Sequence, residues 1–171
     1  MNLPVSNLFK GISVNDGSML NEIVELTSQD DERVWVPDTA PNCWMRPLMF
    51  DLTNGHHVEI FKVHRGGVLG RHLHPTPVHG FVLNGQFRYF EHDWVADTGG
   101  YVFEPPGEVH TLTCDSVDEM KTLFFIMGPI IYMDDDDKVV FVDDNRQMIE
   151  RCRAHYAQNG LGADYVDRLI R

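Results

Sequence analysis

Between residues 57 and 141 the apolar positions fall in short runs rich in Val, Ile, Phe, Tyr and Thr, each closed by Gly, Pro or Asp. That rhythm predicts an antiparallel β-sandwich or barrel. The clearest runs are His57-Val58-Glu59-Ile60-Phe61-Lys62-Val63, Val78-His79-Gly80-Phe81-Val82-Leu83, Phe87-Arg88-Tyr89-Phe90-Glu91 and Lys121-Thr122-Leu123-Phe124-Phe125-Ile126. Turn signals stand at Arg65-Gly66-Gly67, Asn84-Gly85, Thr98-Gly99-Gly100 and Pro105-Pro106-Gly107. After Asp143-Asp144, a capping pair, Met148, Ile149, Cys152 and Tyr156 recur at helical spacing and predict a helix over residues 145–158. A second short helix is expected over residues 163–170. With no linker, internal repeat or low-complexity tract, the chain reads as one all-β domain. It has an N-terminal arm with strands (about 1–50), a barrel (about 51–142) and a helical tail (about 143–171).

Composition narrows the function classes. At 171 residues the chain is long enough for one substantial core, and it has no apolar stretch that would span a bilayer. The start, Met1-Asn2-Leu3-Pro4-Val5-Ser6-Asn7, lacks the basic and apolar segments of a secretory signal, so a cytoplasmic location is expected. Cys43, Cys114 and Cys152 are odd in number and form no CxxC pair; they read as reduced, structural thiols. A net charge of −12, from 26 acidic and 14 basic residues, argues against nucleic-acid or membrane partners. The run Asp134 to Asp137 lacks the spacing and glycine of a calcium loop and reads as a solvated turn.

The histidines change the picture more. Of nine, His72, His74 and His79 lie close together after a glycine turn, and His110 follows the Pro-Pro-Gly turn. Side chains alternate along a strand, so His72 and His74 project from one face and can bind the same ion. A third ligand has to come from another strand, and His110 is the best placed.

These residues form two motifs. In the first, Gly66, five residues, His72, one residue, His74 and four residues lead to His79, with Gly85 closing it; in the second, Gly99, five residues, Pro105, one, Gly107 and two lead to His110, with Cys114 beyond. The pair resembles the two cupin motifs. His79 stands where most cupins have a glutamate, Gly85 comes one residue early, and Cys114 replaces a common asparagine. The wording Arg71-His72-Leu73-His74-Pro75, Phe90-Glu91-His92-Asp93-Trp94-Val95-Ala96 and Gly99-Gly100-Tyr101-Val102-Phe103-Glu104-Pro105-Pro106-Gly107-Glu108 is similar to the 2,4'-dihydroxyacetophenone dioxygenase family of cupins. Trp35-Val36-Pro37 and Trp44-Met45-Arg46-Pro47-Leu48 extend the resemblance over most of the chain before the helix.

The resemblance implies a cupin double-stranded β-helix, or jelly-roll, barrel. It also implies a mononuclear non-haem iron(II) enzyme that uses dioxygen to split a carbon–carbon bond beside a ketone. The expected substrate is a small hydroxyketone or diketone, aromatic by analogy. Three neutral imidazoles would leave the ion's +2 charge uncompensated, which favours an anionic bidentate ligand such as a deprotonated hydroxyketone. The same ligands also suit zinc, nickel, copper or manganese. A metal-dependent isomerase and a non-catalytic metal-binding or ligand-sensing cupin stay open as alternatives.

Around the proposed metal ligands, His79 ligates as well, stands behind a ligand or bound water, or points elsewhere because of Pro75 and Pro77. Glu91 and Tyr89 are candidate proton-handling residues, with a surface carboxylate as the plain alternative for Glu91. Arg46 and Arg71 read as surface ion pairs, His92 and Asp93 as a turn, and Glu104 and Glu108 as shaping residues of the Pro-Pro-Gly turn. His56, His57, His64 and His155 read as structural or surface residues. Phe81, Tyr89, Phe103, Phe124 and Phe125 are core by default, with some available to line a pocket. Apolar residues in the N-terminal arm suggest a homodimer or homotetramer.

Overall fold

The computed structural model describes residues 22–115 and 118–171. The part of the expected N-terminal arm over residues 1–21 lies outside the described residues. Among those described, twelve strands form two six-stranded antiparallel sheets. The first contains β1 (Val36–Pro37), β2 (Cys43–Asp51), β3 (His56–His64), β5 (Val78–Asn84), β8 (Tyr101–Glu104) and β10 (Glu119–Ile126), in the order β1-β2-β3-β10-β5-β8. The second contains β4 (Gly67–Leu73), β6 (Gln86–Tyr89), β7 (Ala96–Asp97), β9 (Val109–Cys114), β11 (Ile130–Met133) and β12 (Val139–Asp143), in the order β12-β11-β4-β9-β6-β7. The strands are antiparallel, as their rhythm predicts, and the fold is the jelly-roll that the resemblance implies. The expected boundary at residue 50 falls inside the first sheet, because β2 pairs along its length with β3.

Alternation builds the core. Met45, Phe61, Val63, Val78, Val82, Met120, Phe124 and Ile126 of the first sheet meet Leu69, Phe87, Tyr89, Leu112, Cys114, Ile130 and Tyr132 of the second in one buried cluster. The turn between β5 and β6 needs Gly85: its φ is +70°, and a Cβ there would fall 2.2 Å from the Glu119 carbonyl oxygen.

Helix α1 (Asn145–Gln158) starts at Asp144, whose side chain accepts hydrogen bonds from the Arg146 and Gln147 amides. Its Met148, Ile149, Cys152 and Tyr156 join the same core. The second expected helix is a 3-10 helix over Ala163–Leu169 that buries Val166 and Leu169. Asp143 is buried and paired with Arg151 through two hydrogen bonds of 2.8 and 2.7 Å, so it anchors the helix to the barrel. All three cysteines are buried.

Candidate metal centre

β4 and β9 run antiparallel with His72 directly opposite His110, so the two rings leave the sheet on the same side. The register of β4 slips between Leu69 and His72. His74 lies one residue past the end of β4, yet keeps the inward face. The rings of His72 and His110 are 4.6 Å apart at 90°, and that of His74 is 5.1 Å from His72 and 5.6 Å from His110. One nitrogen from each of the three lies within 4.8 Å of the others, and all three residues are buried. Three buried histidines could therefore hold a metal ion.

Their hydrogen bonding and charge state fit that role. His72 Nδ1 lies 2.7 Å from the Gly70 carbonyl oxygen, which can only accept, so Nδ1 carries the proton and Nε2 keeps its lone pair. Among the described residues, His74 Nδ1 and both nitrogens of His110 have no hydrogen-bond partner. Burial lowers His72 to about 4 and His110 to about 3, and holds His74 well below the usual histidine range. Neutral imidazoles with unused lone pairs are what a divalent transition metal takes.

Beside them stands a carboxyl that strand alternation alone did not reveal. Glu104, the last residue of β8, is 3 % exposed; its Oε2 lies 3.4 Å from His74 Nε2 and 3.6 Å from His110 Nε2. Its Oε1 accepts a hydrogen bond from the Tyr89 hydroxyl. Tyr89 stacks on the His110 ring, with centroids 4.1 Å apart and planes 3° off parallel. Burial raises Glu104 to about 7 and keeps the Tyr89 phenol protonated far above its usual range. Glu104 is thus part of the site rather than only a turn-shaping residue.

Two of the expected site residues are placed elsewhere. β5 points Val78 and Val82 inward, so His79 faces out, where Nδ1 hydrogen-bonds the Tyr101 hydroxyl at 2.8 Å and the ring packs against Phe103. It does not join the three-histidine group among the described residues. Glu91 sits in a turn, because β6 ends at Tyr89 instead of continuing to residue 91. Its carboxylate accepts from the Thr111 amide at 2.8 Å and the Thr111 hydroxyl at 2.9 Å, and lies 3.8 Å from Arg71. Arg46 is buried rather than superficial, donating to the Thr27 carbonyl at 2.6 Å. Arg71 pairs with Asp137, as a surface ion pair would.

A cavity of about 30 Å³ adjoins the histidines, lined by His72, His74, Glu104, Tyr89, Glu59, Tyr132 and Asp38 among apolar side chains including Phe61, Phe124, Met45 and Met148. That is room for one or two waters. Of the five aromatic residues named from sequence, Tyr89 and Phe124 line it; Phe81, Phe103 and Phe125 are exposed.

The ChrR cupin-like domain matches residues 24–131 of this sequence. The chain belongs to that family. Solved structures agree on the fold: an RmlC-like cupin protein from Ralstonia eutropha JMP134 is 25% identical with a TM-score of 0.69, over 74% of this chain and 83% of that one. An acetylacetone dioxygenase from Acinetobacter johnsonii is 19% identical with a TM-score of 0.72, over 84% of this chain and 99% of that one. No curated protein matches the sequence. The cupin assignment thus agrees with the geometry, in which residues of both motifs meet inside the barrel. No helix among the described residues is long and apolar enough to cross a membrane.

Proposed function

We propose that this cupin is a mononuclear non-haem iron(II) dioxygenase that cleaves the carbon–carbon bond beside the carbonyl of a small hydroxyketone or diketone. The reading is carried by His72, His74 and His110, which are buried, neutral and turned toward one another at an apolar cavity. These three would hold the ion. When bound, iron(II) would supply Lewis acidity and the redox chemistry through which dioxygen is used.

The chain's own residues would do the rest. Glu104 Oε2, beside His74 and His110, is placed to take the proton that a hydroxyketone loses on becoming a bidentate anion. Tyr89 holds Glu104 in place through Oε1 and shields His110 by stacking. Proton handling is therefore assigned to Glu104 and Tyr89, with Glu91 and His79 outside it. The apolar wall keeps bulk water from the reacting centre. A cavity of about 30 Å³ requires side chains to yield to a ketone, and the unbranched Met45 and Met148 are the adaptable ones.

The test is isotopic. Iron-loaded protein given a panel of hydroxyketones and diketones under 18O2 should consume one dioxygen per substrate and place one labelled atom in each of the two fragments, two acids from a 2-hydroxyketone or an acid and a 2-oxoaldehyde from a 1,3-diketone. Label in one fragment only, or turnover without label, overturns the dioxygenase reading. A metal-dependent isomerase would turn a substrate over without consuming oxygen. Stoichiometric metal with no turnover across the panel leaves a metal-binding or sensing cupin, which the small cavity also suits. A homodimer or homotetramer and a cytoplasmic location belong to the same proposal, checked by sedimentation equilibrium and cell fractionation.

A further inference from the structure

Glu59 stands on β3, in the sheet opposite the one that carries His72 and His110. It shares the inward face with His57, Phe61 and Val63, is 5 % exposed, and lines the same cavity as His72 and His74. Among the described residues its carboxyl has neither a hydrogen bond nor an ion pair. The nearby cation, Arg151, is already held by both oxygens of Asp143. A buried carboxyl left without a partner costs free energy, so its presence in a cavity wall calls for something that completes it.

The neighbouring groups indicate what that is. Tyr132 lines the same cavity, and Asp38 adds a second carboxylate to the lining. This part of the wall is rich in acceptors and has no cation of its own. We infer that Glu59 is a specificity-determining residue that receives a hydrogen-bond donor, a hydroxyl or an ammonium, carried by the ligand beyond its metal-chelating end. The inference rests on the metal-centre reading above and adds a class to the substrate: a chelator with a donor at its far end. Burial and the charges of Asp38 and Asp143 raise Glu59 to about 8, so near neutrality the carboxyl keeps its proton and can either accept or give a hydrogen bond. An ammonium would also be drawn by the Asp38 carboxylate; a ligand with a terminal carboxylate would be repelled.

The experiment uses the full chain loaded with zinc, which is redox-silent, and alkyl hydroxamates as bidentate anionic probes. Binding is measured by calorimetry for chains of one to four methylenes ending in methyl, hydroxyl, ammonium or carboxylate. At one matching length the hydroxyl or ammonium probe should bind at least about tenfold tighter than its methyl analogue, as one hydrogen bond to a carboxyl permits. The better of the two identifies the donor. Glu59→Leu should remove the preference while methyl probes bind as before. Glu59→Gln, closest in shape, should keep the fold and lose the ammonium preference at least about fivefold. Equal binding of all endings, a carboxylate preference, or a donor preference that survives in both variants overturns the inference and leaves the metal centre standing. If the protein takes up zinc but no hydroxamate binds, the reading of a chelating substrate at the metal fails first and takes the inference with it.

Discussion

The inner face of the barrel carries a cluster of three histidines and the outer face carries His79, and the two places have opposite chemistry. Inside, His72, His74 and His110 are buried and neutral, and His74 and His110 carry nitrogens without hydrogen-bond partners among the described residues. Outside, His79 is half-exposed, spends Nδ1 on Tyr101, and sits among Phe81, Tyr101 and Phe103, each about half exposed. The same residue type is made ready for a metal in one place and satisfied in the other. Burial strips water from the ring and holds it neutral; exposure lets it take an ordinary hydrogen bond.

The strongest way to break this comparison is to delete each histidine in turn. His72→Ala, His74→Ala and His110→Ala should each lower metal affinity by at least about 100-fold with the far-ultraviolet circular dichroism of the β fold retained, whereas His79→Ala should keep one metal per chain. Metal analysis after dialysis decides it. Retention of metal by all three inner variants would remove the proposed centre.

Packing should show the same inside–outside contrast. Phe87→Ala, in the buried cluster, should cost about 3–5 kcal/mol in urea unfolding, while Phe103→Ala on the outer face should cost less than about 1.5 kcal/mol. A large loss at Phe103, dependent on protein concentration, would instead mean that the outer face is covered in an assembly.

A pH series on the metal-free protein sharpens the inner half. Glu59 is raised to about 8 in the folded chain from an ordinary value of 4.5, so between those values the folded state holds a proton that the unfolded state has lost. Its contribution to stability is present below about pH 4.5 and is lost as pH rises through 8. Relative to Glu59→Gln, the unaltered chain should lose up to about 1.4 kcal/mol per unit between about pH 5.5 and 7.5. Parallel stability curves for the two proteins would show that Glu59 is solvated.

The smallest expected effect is at His79. Because it faces outward, His79→Glu should leave hydroxamate affinity of the zinc-loaded protein within about twofold, since a new charge on the solvent side is screened from the cavity. A tenfold weakening would bring His79 back to the metal.

Much of the fold was legible because its signals are local. Helix α1 spans residues 145–158 as its apolar spacing predicts, and β3, β5 and β10 lie where the β-branched and aromatic runs place them. β6 was read two residues too long: Phe90 and Glu91 suit a strand, but the Thr111 amide and hydroxyl draw Glu91 into a turn. For His79, left open between the metal and an outward course, the deciding signal was there. Val78 and Val82 alternate with it, and the alternation that joins His72 to His74 turns His79 away. Glu59 offered no such signal, because both faces of β3 are covered. Its outward Ile60 packs under Val34 and Trp35, and Lys62 Nζ lies 4.3 Å from the Trp35 ring, so apolar and polar positions do not separate along the strand.

What the sequence determined by itself was the relative facing of near neighbours: His72 with His74 two residues apart, the turn at Gly85, and the stripe of α1. These follow from backbone period and hard-sphere limits, which act over a few residues. Only the tertiary structure decided which face became the interior and what stood across it. The β4–β9 register set His110 opposite His72, β8 brought Glu104 to within 3.4 Å of His74, and the packing of the first sheet on the second turned Glu59 into the same cavity. Those juxtapositions join residues from different strands and both sheets, and burial then sets their protonation, because loss of water acts on a residue only once the rest of the chain has closed around it.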